Sequence, residues 1–148
     1  MSAEFNDIIV PVDGSENSLR AARFASDLAK AMGSKMTLVY VFTTRSGGNF
    51  DFLRITHPEE EDIEQLKKEA ARKIFDKTYQ ALGGKEGEIK EESLSGDPAT
   101  EIIQYLEKYP SSITVMGRRG LSRFEALLLG SVSEKVVRHA TGPVTIIH

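Results

Sequence analysis

The chain contains no cysteine. It therefore has no disulfide framework, no thiolate metal site and no thiol nucleophile. It has three histidines, His57, His139 and His148, and their spacing matches no metal-ligand pattern. No apolar run approaches the roughly 20 residues that a membrane-spanning helix needs. The segment Met1–Asp7 is polar and lacks the apolar core of a signal peptide, so a cytosolic protein with no membrane association is expected. There is little excess charge of either sign: 19 basic residues oppose 22 acidic ones, a formal net charge of −3. That balance gives no footprint for nucleic acid, whose binding is dominated by basic side chains on phosphates. Internal repeats and low-complexity segments are also absent.

What is present fits one globular domain spanning residues 1–148. A chain of this length can bury a sizeable core, and 40% hydrophobic and 28% charged residues are ordinary for a globular fold. Ile8-Ile9-Val10-Pro11-Val12 reads as a strand buried on both faces, with Pro11 near its end because proline cannot donate to a ladder. Asp13-Gly14-Ser15 breaks it, and Ser15 is placed to cap a helix whose inward face is Leu19, Ala22, Ala25, Leu28, Ala29 and Met32. Met36 to Phe42 is a second strand, followed by a long connection, Thr43 to His57, read as a loop over a ligand crevice. Pro58 opens a helix with an inward stripe of Ile63, Leu66, Ala70, Ile74, Thr78 and Leu82, stopped by Gly83-Gly84. Glu88 to Leu94 is a charged strand suited to a sheet edge. Asp97 caps the next helix with Pro98 at its first position. Ile113 to Met116 is a buried strand, Ser131 caps a helix that turns Val132, Val136 and Val137 inward, and Val144 to Ile147 is a last strand. Strands alternating with helices predict an α/β fold, a five-stranded parallel sheet covered on both faces.

The most informative stretch runs from Met116 to Ser133. A glycine-rich loop there joins a strand end to a helix start, a context in which backbone N–H groups converge on an anion. Gly117, Gly120 and Gly130 let the backbone turn tightly and approach a ligand. Ser131 and Ser133 place hydroxyls beside the first N–H groups of the helix, and Arg118, Arg119 and Arg123 supply guanidinium groups suited to phosphate oxygens. An ordinary capped helix would also use serine and glycine, but the spacing Gly-x2-Gly-x9-Gly-Ser is restrictive. With glycine near 7% of residues, a chance match in a chain this long is on the order of one in a hundred. Asp13, at the end of the first strand, is either a turn aspartate or a carboxylate in the crevice where open α/β sheets bind ligands.

Gly117-x2-Gly120-x9-Gly130-Ser131 resembles the nucleotide-phosphate motif of the universal stress protein family, in its ATP-binding branch. Pro11-Val12-Asp13-Gly14-Ser15 and Gly96-Asp97-Pro98-Ala99 are similar to that family too, so the resemblance covers nearly the whole chain. It implies strand order 3-2-1-4-5. It implies ATP with Mg²⁺ as ligand: adenine against Val41, Pro11 and Val12, Asp13 on the ribose side or on the bound Mg²⁺, and phosphates held from Met116 through Gly117, Arg118, Arg119 and Gly120 and from Gly130 through Ser131, Val132 and Ser133. It implies a homodimer through the last strand, at Val144 and Ile146. Ser112 and Ile113 stand where the family often carries an acidic residue.

With a cradle but no evident base beyond Asp13 and no Walker lysine, phosphoryl transfer lacks its usual parts. The reading is a nucleotide-dependent stress-response regulator with at most slow ATP hydrolysis. The alternative is a dimeric adaptor binding AMP, cyclic AMP or no nucleotide. A hydrolase built on Ser15 or Ser131 with His139 has the residue types but no nucleophile elbow.

Overall fold

The computed structural model describes residues 5–43, 60–84, 88–118 and 129–148. The elements are β1 (Asp7–Pro11), α1 (Glu16–Met32), β2 (Lys35–Thr43), α2 (Glu60–Ala81), β3 (Ile89–Gly96), α3 (Pro98–Glu107), β4 (Ser112–Gly117), α4 (Ser131–His139) and β5 (Val144–Ile147). The five strands form one parallel sheet in the order β3-β2-β1-β4-β5. The expected α/β architecture and strand order both hold.

β1 is central, and its continuous apolar run follows from burial on both faces. Ile8, Ile9 and Val10 have no exposed surface, and burying each contributes on the order of 1.5–3 kcal/mol. Their alternation sorts the core into two layers. Ile8, Val10 and Val12 pack with Ala21, Ala22 and Ala25 of α1 and with Ala71, Phe75 and Tyr79 of α2. Ile9 packs with Val39, Met116, Ile102, Tyr105 and Leu106 of α3, and Val136 of α4. The alanine face lets α1 lie close to the sheet, near β4.

Two of the expected caps hold. Ser15 caps α1 by accepting from the Ser18 N–H. Asp97 caps α3 by accepting from Thr100, with Pro98 at the first turn. Charged β3 is an edge strand, and its Glu91 is held from α2: Arg72 donates to both carboxylate oxygens (2.9 and 3.0 Å) and the Tyr79 hydroxyl donates at 2.6 Å.

Three side chains expected inside lie outside. Leu66 is 37% exposed, while Ala71, Phe75 and Tyr79 are buried. The inward stripe of α2 is centred near Ala71, and at 3.6 residues per turn Leu66 sits about 140° away. Val137 is 45% exposed because Val132, Ser133 and Val136 take the inward face of α4, which leaves Val137 about 100° round from Val136. Met32 is 41% exposed in the last turn of α1. The N-cap of α4 is Gly130; Ser131, expected to cap, is instead the first helical residue.

Candidate functional site

Parallel pairing brings the carboxyl ends of β1, β2 and β4 to one end of the sheet. Pro11 pairs with Val39, and the Val12 N–H still donates to the Val39 carbonyl at 2.8 Å, so Asp13 and Val41 lie just beyond the last paired rung. Ile9 pairs with Thr114, which puts Met116 level with Pro11 and Gly117 and Arg118 level with Val12 and Asp13. Strand order reverses between β1 and β4, the switch point at which open α/β sheets bind ligands. The expected site residues within the described segments therefore gather at one place. Arg119 and Gly120 lie outside the described residues, as do Arg123 and the connection after Thr43 up to His57.

Asp13 does a turn residue's work. Its Oδ1 accepts the Ser15 N–H at 2.9 Å, and its own N–H donates to the Ser18 hydroxyl at 3.1 Å. That Asx turn orients the half-buried carboxylate at the end of β1. Gly14 follows with φ 82°, so its conformation selects glycine. Lys77 of α2 donates to the Gly14 carbonyl at 2.8 Å. Burial first, and the Asp13 charge second, raise the Tyr40 phenol above its ordinary value. Tyr40 is thus a neighbour of Asp13 that the sequence did not single out, although it directly precedes Val41. Its side chain lies on the α1–α2 face and Val41 on the α3–α4 face.

Gly117 is required by packing. A Cβ on it would lie 2.8 Å from both the carbonyl carbon and the Cβ of Asn17. The first turn of α1 rests on the end of β4 at this point, and Asn17 is a second residue beside the site that no sequence motif marks.

Arg118 is a junction. Its N–H donates to the Ile147 carbonyl at 2.8 Å, and its carbonyl accepts the Gly130 N–H at 2.8 Å and the Ser133 hydroxyl at 2.6 Å. The buried Ser133 hydroxyl also lies 3.1 Å from the Gly130 carbonyl. Its single proton is thereby directed at carbonyl oxygens, so Ser133 holds the two ends of the loop together. The side-chain Nε of Arg118 is buried with no hydrogen-bond partner among the described residues.

α4 begins at Gly130, which has extended backbone and no side chain with which to cap. The first N–H groups of a helix have no partner within it, and the helix dipole makes that end attractive to anions. Exposed Ser131 stands on this first turn. It also borders a groove of about 430 Å³ between α3 and α4, where Thr100, Ile103 and Lys135 lie.

The arrangement suits binding an anion more than transferring an acyl group. Ser131 and His139 are eight residues apart on one helix, about 12 Å along its axis, and Ser15 is committed to capping α1 on the opposite face. No serine–histidine pair forms among them. No group of three or more histidine, cysteine, aspartate or glutamate side chains among the described residues could hold a metal ion. No helix among them is long and apolar enough to cross a membrane.

A doubly wound α/β domain with a helix N-terminus at its switch point has the architecture of the broad class of nucleotide-binding folds. The chain is a member of the universal stress protein family, whose model matches residues 4–148. It is 33% identical over 146 residues to the universal stress protein MJ0531 of Methanocaldococcus jannaschii, covering 97% of this chain and 82% of that one. The universal stress protein UspA from Lactobacillus plantarum shares the fold with a TM-score of 0.79 at 23% identity, covering 99% of this chain and 100% of that one. A universal stress protein solved in complex with cAMP superposes with a TM-score of 0.64 at 25% identity, covering 98% of each chain.

Proposed function

We propose that this protein binds ATP at the β1–β4 switch point and acts as a nucleotide-dependent stress-response regulator, with at most slow hydrolysis. The observation that carries this reading is the N-terminus of α4, whose N-cap residue makes no side-chain hydrogen bond and whose Gly130 N–H bonds the carbonyl of a cationic residue, Arg118. The helix dipole and the Arg118 charge both favour an anion at the loop. Backbone N–H groups at Ser131, Val132 and Ser133, with those of Gly117, Arg119 and Gly120, would hold the phosphates; the Arg118 N–H is taken by the Ile147 carbonyl. Adenine would lie against Val41, Pro11 and Val12.

Asp13 would serve the ribose side or a phosphate-bound Mg²⁺. A single carboxylate fits that ion, because Mg²⁺ keeps most of its waters and binds through one or two carboxylates together with substrate phosphates. The metal would neutralise phosphate charge; this chain's own residues bind and orient. The Ser133 hydroxyl acts by closing the loop rather than by touching phosphate.

The apolar edge strand β5 supports assembly as a homodimer through Val144 and Ile146. β5 pairs with β4 and stands at the sheet edge, and an isologous strand pair would cover its outer backbone groups. The relative solved with cAMP favours a second reading, an adaptor that takes a monophosphate or cyclic nucleotide at this same crevice.

Calorimetric titration with Mg-ATP, ADP, AMP and cyclic AMP separates the two. A clear preference for the triphosphate supports the regulator reading. Equal or tighter binding of AMP or cyclic AMP would transfer support to the adaptor.

A further inference from the structure

The peptide between Gly14 and Ser15 is held from both sides. Its carbonyl accepts from the Lys77 ammonium of α2 at 2.8 Å, and its N–H donates to Asp13 Oδ1 at 2.9 Å. A trans peptide is planar, and its C=O and N–H point in opposite directions. Fixing the direction of the carbonyl therefore fixes where the N–H aims. A charged donor on the carbonyl also polarises the N–H and strengthens the bond that it gives to the carboxylate. Lys77 thus acts on Asp13 through a single peptide plane. The same stretch of α2 supports the surroundings of Asp13. Ile74, one turn before Lys77, faces Gly14. Phe75 holds the Tyr40 ring edge-on, with centroids 6.5 Å apart and planes at 81°, and the Tyr40 phenol feels the Asp13 charge. Asp13 commits one oxygen to the turn. Among the described residues its Oδ2 takes no hydrogen bond.

We propose that Lys77 is a positioning residue of the nucleotide site: through the Gly14–Ser15 peptide it orients the Asp13 carboxylate so that Oδ2 is left to the ligand. The proposal rests on the nucleotide reading above, in which Asp13 serves the ribose side or a phosphate-bound Mg²⁺. It adds a residue that lies in neither the glycine motif nor the segment from Pro11 to Ser15. The ammonium acts through the turn and not by contact with the ligand. Without it the Gly14 carbonyl turns to water and the peptide plane is free to tilt. Asp13 then samples more orientations, and binding has to select one of them at an entropy cost. Lys77 is exposed, and substitutions at exposed positions change global stability little. Its effect therefore falls on the site and not on folding.

The test is calorimetry with Mg-ATP on wild type, Lys77→Met, Lys77→Arg, Asp13→Ala and the double variant Lys77→Met with Asp13→Ala. Thermal unfolding and the Ser15 amide proton resonance are recorded alongside. Methionine keeps an unbranched apolar stem and loses the donor, whereas arginine keeps a cationic donor. Lys77→Met should bind Mg-ATP about three- to tenfold more weakly, the worth of one hydrogen bond, with Tm within about 2 °C of wild type. Its Ser15 amide proton should move upfield as the bond to Asp13 weakens, and Lys77→Arg should restore both the resonance and the affinity. In the Asp13→Ala background, Lys77→Met should change affinity by less than about twofold, within the error of additivity, because the carboxylate it positions is gone. Wild-type Mg-ATP affinity in Lys77→Met would overturn the positioning role and leave the nucleotide reading standing. An equally large loss in the Asp13→Ala background would overturn it too, since the lysine would then act on the nucleotide by charge at a distance. An unmoved Ser15 resonance would overturn the link through the peptide. No heat with Mg-ATP for the wild type would overturn the nucleotide reading and the positioning role with it.

Discussion

Asn17 and Gly117 meet so closely that a Cβ on the glycine would lie 2.8 Å from two atoms of the asparagine. The first glycine of the motif is therefore a packing residue of the α1–β4 contact, whatever its backbone N–H also does. Gly117→Ala should destabilise the fold by about 1–3 kcal/mol, the usual cost of overpacking. For a domain of this size that lowers Tm by about 2–4 °C per kcal/mol. Thermal unfolding checks this, and an unchanged Tm would contradict the contact. Loss of ligand binding in Gly117 variants is consequently poor evidence for a phosphate contact.

Asp13 combines a turn with a charge, and two substitutions divide them. Asparagine can still accept the Ser15 N–H, so Asp13→Asn should stay within about 0.5 kcal/mol of wild-type stability, as surface changes away from special features do. Asp13→Ala removes the Asx turn and should cost about 0.5–1.5 kcal/mol, the net worth of one hydrogen bond. Both should weaken Mg-ATP binding. Unaltered affinity in Asp13→Asn, measured by calorimetry, would reduce Asp13 to its turn.

At the other end of the sheet, burial raises the Asp7 carboxyl above the ordinary aspartate value, against the opposing effects of the Thr37 hydroxyl, Lys90, the Ile8 N–H and Lys35. Thr37 donates to both Asp7 oxygens at 3.0 and 3.1 Å, and the buried Tyr105 phenol, itself raised first by burial, feels the Asp7 charge. The folded state therefore holds this proton more tightly than the unfolded chain. The stability so contributed is fully present below the unfolded value and is lost as pH rises through the folded value. Asp7→Asn keeps an acceptor for Thr37 and removes the charge. Its stability relative to wild type should increase with pH above about 4 and level off once Asp7 is ionised in both states. Urea midpoints across that window test the sign, and a wild type that gains on the variant with rising pH would contradict it.

The α2–β3 clamp should be modest. Tyr79→Phe removes the 2.6 Å bond to Glu91 while Arg72 still satisfies that carboxylate. A loss of about 0.5–1.5 kcal/mol in chemical denaturation is expected, the net value of a single hydrogen bond; a loss above about 3 kcal/mol would mean the clamp carries far more than its bonds suggest.

Most of the fold was legible because its signals are local. Ile8 to Val12 reads as a doubly buried strand, Ser15 and Asp97 as caps, and the charges of β3 as an edge. The failures have geometric causes. Leu66 and Val137 are apolar residues one step off their helix stripes, and the true burial of Phe75 and Tyr79 depends on which side of α2 meets the sheet. The site was legible as a motif and less so as a set of roles. Ser131 was expected to cap because serine outranks most residues there, yet the chain places glycine at the cap. The bond from Ser133 to the Arg118 carbonyl spans 15 residues, and the contact of Asn17 with Gly117 reaches across β2, α2, β3 and α3 in the chain. No spacing rule reaches either one. Gly117, Arg118 and the start of α4 converge near the switch point, and the tertiary contacts show which of these residues hold the root of the loop.

The most direct measurement is calorimetric titration of Mg-ATP into wild type and Gly130→Asp, with thermal unfolding of both. Gly130 is the α4 N-cap in extended backbone with φ −71°, a conformation open to aspartate, which is among the best N-caps. The new carboxylate would cap the N–H groups proposed for phosphate and place a negative charge beside it. The account predicts an unchanged or raised Tm together with Mg-ATP affinity at least about tenfold weaker, a loss of about 1.4 kcal/mol or more. A stable Gly130→Asp protein that binds Mg-ATP as tightly as wild type would contradict the claim that the N-terminus of α4 holds the nucleotide's phosphates.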